Sequence, residues 1–182
     1  AKMEELIQKA KNGDKEAFTT IMLSLEKDLY KIAKTRLKND DDIYDAIQET
    51  IIEAFKSIKK LKNTEAFKTW IIRILINKTN DIFRRKKHKK EILLEDIKNT
   101  EILNSYEEKD IDNLLDFNFM RKQLKYEDSV IITLYYMEGF SDKEIGNILK
   151  LKENTVKTKR TRAKQKIREI LDIGGKNNGW AW

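Results

Sequence analysis

DIYDAIQETIIEAFKSIKKLKNTEAFKTWIIRILINKTNDIFRRKKHKK, from Asp42 to Lys90, decides the fold of this chain. In its first half Ile43, Ile47, Ile51, Ala54, Phe55 and Ile58 recur at spacings of three and four, the apolar stripe of an amphipathic helix. Asp45, Gln48, Glu49 and Glu53 occupy the opposite face. After a short polar loop the pattern resumes with Phe67, Trp70, Ile71, Ile74, Leu75, Ile82 and Phe83, leaving Arg73, Asn77, Lys78, Arg84 and Arg85 for another surface. Neighbouring helices that needed only to pack would have no reason to segregate charge sign so completely. The acidic and amide face is therefore expected to meet a protein, and the basic and aromatic face DNA.

The bulk composition agrees with an all-α fold. Of 182 residues, 40% are hydrophobic and 38% charged, with no proline and six glycines, so helices are scarcely interrupted and a sheet lacks its usual turn residues. The net charge of +7 favours a polyanionic partner. That charge comes in blocks: net +10 from Lys59 to Lys90, −7 from Glu91 to Asp116 and +7 from Lys150 to Glu169. Without cysteine there is no disulfide framework and no thiol chemistry, which permits a reducing compartment. No apolar run approaches the ~18 residues of a membrane span and the beginning of the chain has no signal-peptide core, so a cytoplasmic protein with no direct membrane insertion is expected.

Working outward, Met3, Leu6, Ile7 and Ala10 predict a short opening helix that stops at Asn12-Gly13, with Asp14 capping the next. Phe18, Ile21, Leu25, Leu29, Ile32, Ala33 and Leu37 continue at helical spacing as a core helix. The run Asn39-Asp40-Asp41-Asp42 breaks it, and its last acids are placed to cap a helix starting near Ile43. Metal binding by that run is the weaker reading, because the glycine and distal glutamate of a calcium loop are missing. Residues 1–90 form the first helical domain, and 91–111 an acidic flexible linker suited to lying in a basic channel.

The second domain spans 112–173, with Leu114, Leu115, Phe117, Phe119, Met120 and Leu124 available for its core. Val130, Ile131, Leu134 and Tyr135 predict a helix ending at Glu138-Gly139-Phe140. Ser141-Asp142-Lys143-Glu144 is a capping box before Ile145, Ile148 and Leu149. A polar break from Lys150 to Asn154 precedes a basic helix from Thr155 to Leu171. This order reads as a helix-turn-helix whose last helix enters DNA, with Val156, Ala163, Ile167 and Ile170 inward. The tail, 174–182, contains Trp180 and Trp182 without a helical pattern.

Three function classes compete on the residues alone. One is an initiation subunit that recruits a polymerase; the second is an independent, dimeric helix-turn-helix regulator. The third is a nuclease using the Asp40 to Asp45 cluster. The single histidine, His88, lies inside RRKKHKK and reads as part of a phosphate-facing run, so no nucleophile–base pair or zinc set has parts to draw on. No catalytic residue, metal or cofactor is expected.

DAIQETIIEAF at 45–55, AFKTWIIRILIN at 66–77, RRKKHKK at 84–90 and GFSDKEIGNILKLKENTVKTKRTRAKQKIRE at 139–169 together resemble a bacterial extracytoplasmic-function sigma factor of the sigma-70 family. The resemblance covers nearly all the chain except the linker and tail. It implies a region 2-like helical bundle and a region 4-like helix-turn-helix, binding core RNA polymerase through its β′ and β subunits and directing it to promoter DNA. It implies core-binding residues Asp45, Gln48, Glu49 and Glu53. For capture and melting of the −10 element it implies Asn63, Phe67, Trp70, Arg73, Asn77, Arg84 and Arg85, since opened DNA needs aromatic surfaces, an amide and cations. For the −35 element it implies Thr155, Lys157, Thr158, Lys159, Thr161 and Arg162, and it implies restraint by an anti-sigma factor. The chain departs from the family at Arg160, where an apolar residue is usual, which predicts a buried stem with its charged head snorkelling outward.

Overall fold

The computed structural model describes residues 2–96 and 123–173, and every regular element among them is helical. The chain divides into two compact units, Ala1–Asp110 and Ile111–Trp182. Most of the acidic linker, the expected core residues from Leu114 to Met120, and the tail with Trp180 and Trp182 lie outside the described residues.

The first unit contains α1 (Lys2–Lys11), α2 (Lys15–Lys34), α3 (Asp40–Ser57) and α4 (Phe67–Asp96), with 3-10 turns at Ile58–Lys60 and Thr64–Ala66 between the last two. Gly13, at φ +101°, makes the α1–α2 turn, and the Asp14 carboxylate accepts the Ala17 N–H at 3.0 Å. The α2 stripe is buried throughout: Phe18, Ile21, Leu25, Leu29, Ile32 and Ala33 are in the core, as are Ile43, Ala46 and Ile47 of α3 and Ile71, Leu75 and Ile82 of α4, and α2 packs against both helices. Each fully buried isoleucine or leucine contributes roughly 1.5–3 kcal/mol relative to an exposed one.

Three expectations shift. Helix α3 begins at Asp40, because Asn39, in an extended conformation, already caps it by accepting the Asp41 N–H at 2.8 Å; the aspartates fill the first turn instead. Helix α4 runs on to Asp96, beyond Lys90, where the sequence pattern weakens. Met3, Phe55 and Phe83 are 41%, 47% and 37% exposed rather than buried. Phe55 follows fully buried Ala54 by one residue, about 100° round the helix, and reaches the core only edge-on against Phe18, with ring centroids 5.2 Å apart.

The second unit contains α5 (Tyr126–Ile132), which widens into a π-helical turn at Thr133–Met137, then α6 (Asp142–Leu149) and α7 (Glu153–Ile173). Gly139 takes φ +72° at the turn. The capping box is formed: Ser141 Oγ accepts the Glu144 N–H at 3.3 Å, and Glu144 Oε2 accepts the Ser141 N–H at 2.8 Å. Between α6 and α7 the chain turns through Lys150, whose φ of 58° is left-handed. A Cβ on Gly146 would lie 2.6 Å from the Leu151 carbonyl oxygen, so the tightness of this turn requires glycine. Val130, Ile131, Leu134, Ile145, Ile148 and Val156 are buried, and Leu124 and Ile132 meet Ala163 and Ile167 of α7. No helix among the described residues is long and apolar enough to cross a membrane.

Candidate nucleic-acid interface

The outward face of α3 presents Asp45, Gln48 and Glu53, with Glu49 half-buried beside them. The same helix also exposes Ile52 (54%) and Phe55 (47%), which border a shallow groove with Phe18 and Ile51. This surface is therefore a mixed polar and apolar one, in keeping with a protein partner. Phe55 belongs to the apolar stripe by spacing and Ile52 falls outside it, yet both are exposed.

Just before α4, Asn63 is exposed and caps the 3-10 turn Thr64–Ala66, its side-chain oxygen accepting the Glu65 N–H at 2.9 Å. Phe67 is 3% exposed, with its ring 5.6 Å from that of Trp70. This corrects its assignment to the −10 set: at the first turn of α4 it faces inward and belongs to the core. Trp70 is half-buried and retains an accessible surface. Arg73 is half-buried, with its Nε shielded and lacking a hydrogen-bond partner, and Asn77 is exposed one turn further on. Arg73, Asn77, Asn80 and Arg84 stand at i, i+4, i+7 and i+11, so they share one side of the helix. Asn80, which sequence reading passed over, has its Oδ1 buried and unpaired.

The acidic and basic faces are not independent. Arg85 Nη2 lies 3.2 Å from Glu49 Oε1, and Lys86 Nζ lies 2.6 Å from Asp42 Oδ2, so the end of α4 is stitched to α3. Glu49, Asp81, Arg84 and Arg85 line one shallow cleft, in which Arg84 also pairs with Asp81 at 2.7 Å. Arg36 of the α2–α3 connection stacks 3.8 Å over the Phe83 ring. Apart from Arg84–Asp81, which is an i,i+3 pair within α4, these contacts join separate elements and have no signal in a single helix's periodicity.

On α7, Lys157, Thr158, Thr161 and Arg162 are exposed and Thr155 is half-buried. The hydroxyls of Thr158 and Thr161 donate back to the carbonyls of Asn154 and Lys157, each at 2.9 Å. Lys159 is engaged within the unit, 2.7 Å from Glu127, whose hydrogen bond raises its pKa above the ordinary lysine value.

Arg160 overturns the expectation of an outward head. Its guanidinium turns inward, donating to both Asp142 oxygens at 2.8 and 2.9 Å and lying 3.9 Å over the Tyr135 ring. Those bonds hold the Asp142 carboxyl below its usual range. Glu144 is likewise lowered, by the hydrogen bonds from the Ser141 backbone and hydroxyl.

Among the described residues, no group of three or more histidine, cysteine, aspartate and glutamate side chains is placed to hold a metal ion. What the two units offer is an exposed mixed face, a basic helix with amide and aromatic groups, and a helix-turn-helix with an outward cationic row.

Residues 21–89 match the family model for sigma-70 region 2, and residues 122–167 that for sigma-70 region 4. RNA polymerase sigma factor SigV of Bacillus subtilis (strain 168) is 31% identical over 165 residues, covering 88% of this chain and 94% of that protein. The ECF RNA polymerase sigma factor SigW of the same organism is 30% identical over 181 residues, covering 93% and 96%. The sigma factor RpoE, solved with the anti-sigma factor NepR from Bartonella quintana, shares the fold at a TM-score of 0.67 and 22% identity, covering 86% of this chain and 97% of that one. The chain therefore belongs to the sigma-70 family of RNA polymerase sigma factors, in its extracytoplasmic-function class. It is a transcription initiation factor and not an enzyme.

Proposed function

We propose that this sigma factor docks core RNA polymerase on the α3 face formed by Asp45, Gln48, Glu49 and Glu53, extended by Ile52 and Phe55. The −10 strand is captured on the side of α4 that carries Trp70, Arg73, Asn77 and Arg84, with Asn63 and Arg85 at its two ends. The −35 element is read by α7 through Thr155, Lys157, Thr158, Thr161 and Arg162, while Lys159 keeps its place against Glu127. The functional domains are 1–90, joined by an acidic linker at 91–111 to 112–173.

The observation that carries this division of labour is the placement of Arg73 and Asn77. Both reach the surface of a helix whose opposite side is the core, one and two turns from a half-buried tryptophan. A cation, an amide and an aromatic surface within two turns are the parts needed to hold an unstacked strand. Promoter binding by gel shift, with and without core polymerase, tests it. Specific binding is expected only with core present; tight binding of a palindrome by the chain alone would instead indicate a dimeric regulator.

The protein acts in the cytoplasm, where the promoters are. An anti-sigma factor restrains it, as NepR accompanies RpoE in the solved complex. The exposed Ile52 and Phe55 are the apolar residues such an inhibitor would cover. Co-purification from the native host yielding polymerase subunits alone under every condition would remove the inhibitor from this account.

A further inference from the structure

Val156, Arg160, Ala163 and Ile167 stand at i, i+4, i+7 and i+11 of α7, the row that faces its own unit. The three apolar members are 0%, 2% and 5% exposed. Arg160 is the charged member of that row, and its side chain and that of Asp142 are each 15% exposed. A planar guanidinium held by two hydrogen bonds to one carboxylate, with an aromatic ring against its face, is fixed in distance and in plane. Three elements meet on it: Tyr135 from the π turn, Asp142 from the first turn of α6, and α7 itself. One turn further along α7, Lys164 lies 5.7 Å from the ring of Tyr136, the neighbour of Tyr135 in the same π turn.

An apolar side chain at position 160 would hold α7 against the core yet tolerate rotation about the helix axis, because hydrophobic contact is non-directional. A rotation of about 20° moves an atom ~6 Å from the axis by about 2 Å, enough to break a hydrogen bond to a base. Lys157 and Thr161, at i−3 and i+1 from Arg160, would move with it. We propose that Arg160 is a positioning residue for promoter reading: clipped to Asp142 and Tyr135, it sets the rotation of α7 and so the residues that face the groove. This rests on α7 being the −35 reader.

The test uses the full chain with core polymerase and compares transcription from two promoters that differ only in an intact or scrambled −35 element. Thermal unfolding is followed for the same proteins. Wild type should favour the intact element strongly. Arg160→Leu, which keeps apolar packing, and Asp142→Asn, which keeps shape, should each lower the ratio by about tenfold, the worth of one good base contact. Arg160→Lys, with the charge but not the fork, should not restore it. Should Arg160→Leu fail to fold, Asp142→Asn and Arg160→Lys carry the comparison. Variants that melt earlier and transcribe less from both promoters at an unchanged ratio would overturn the proposal, as would full rescue by lysine. A wild-type ratio near one would overturn the −35 assignment and the clip with it.

Discussion

Arg85 of α4 and Glu49 of α3 form an ion pair, Nη2 to Oε1 at 3.2 Å, joining the face assigned to polymerase to the one assigned to DNA. Their side chains are 65% and 41% exposed, so the pair adds at most about 1 kcal/mol to the fold. Glu49→Ala is expected to leave urea unfolding nearly unchanged while weakening core polymerase binding. Asp42→Ala should cost about 1–2 kcal/mol, because Asp42 loses both Lys86 and its place in the first turn of α3. Equal destabilisation by the two substitutions would contradict this assignment.

Phe67 and Asn77 separate packing from function on one helix. Phe67→Ala should destabilise the first unit by about 3–5 kcal/mol, because the ring is 3% exposed and packs against Trp70. Asn77→Ala, at an exposed position, should fall within about 0.5 kcal/mol of wild type in stability yet impair promoter opening. Denaturant titration and permanganate reactivity of promoter thymines measure the two effects separately.

The helix-turn-helix should be acid-sensitive. Asp142 and Glu144 both have folded pKa values below their ordinary ones, from the Arg160 and Ser141 hydrogen bonds respectively. The stability they contribute is therefore fully present above the unfolded carboxylate range and is lost as pH falls through the lower folded values. Melting of the second unit should be flat from about pH 8 to 5 and decline below about pH 4. Asp142→Asn should flatten part of that decline. Ser141→Ala should cost about 1 kcal/mol through loss of the cap.

Residues on the outward side of α7 should divide by what they touch. Lys157→Ala is expected to weaken binding to all sequences alike and to reduce the slope of log affinity against log salt by about one. Arg162→Ala should relax preference at one −35 position by about 1–3 kcal/mol. A panel of single-base −35 variants measured at two salt concentrations tells a phosphate contact from a base contact.

Much of the architecture was legible because it is local. The α2 stripe, the Asn12-Gly13 stop, the Ser141 capping box and the inward set Val156, Ala163 and Ile167 each follow from spacing or short-range hydrogen bonding within one element. The misread positions depended on a second element. Phe55 fits the α3 stripe but lies at its edge, where its ring meets Phe18 edge-on and stays 47% exposed. Phe67 was assigned to DNA by the resemblance although it fits the core stripe, and the structure buries it. The sequence places the stem of Arg160 in the core but points its head outward, because the carboxylate that turns the head inward, Asp142, lies 18 residues earlier. The same holds for Glu49 and Arg85, 36 residues apart.

Abortive transcription on a fork-junction promoter with purified core polymerase tests the central claim most directly. Wild type is compared with Gln48→Ala/Glu49→Lys and with Arg73→Ala/Asn77→Ala. The account predicts that the first pair loses core binding, whereas the second keeps core binding and fails to open DNA. If wild type neither bound core nor initiated, or if both pairs failed at the same step, the assignment of α3 to polymerase and α4 to the −10 element would be contradicted.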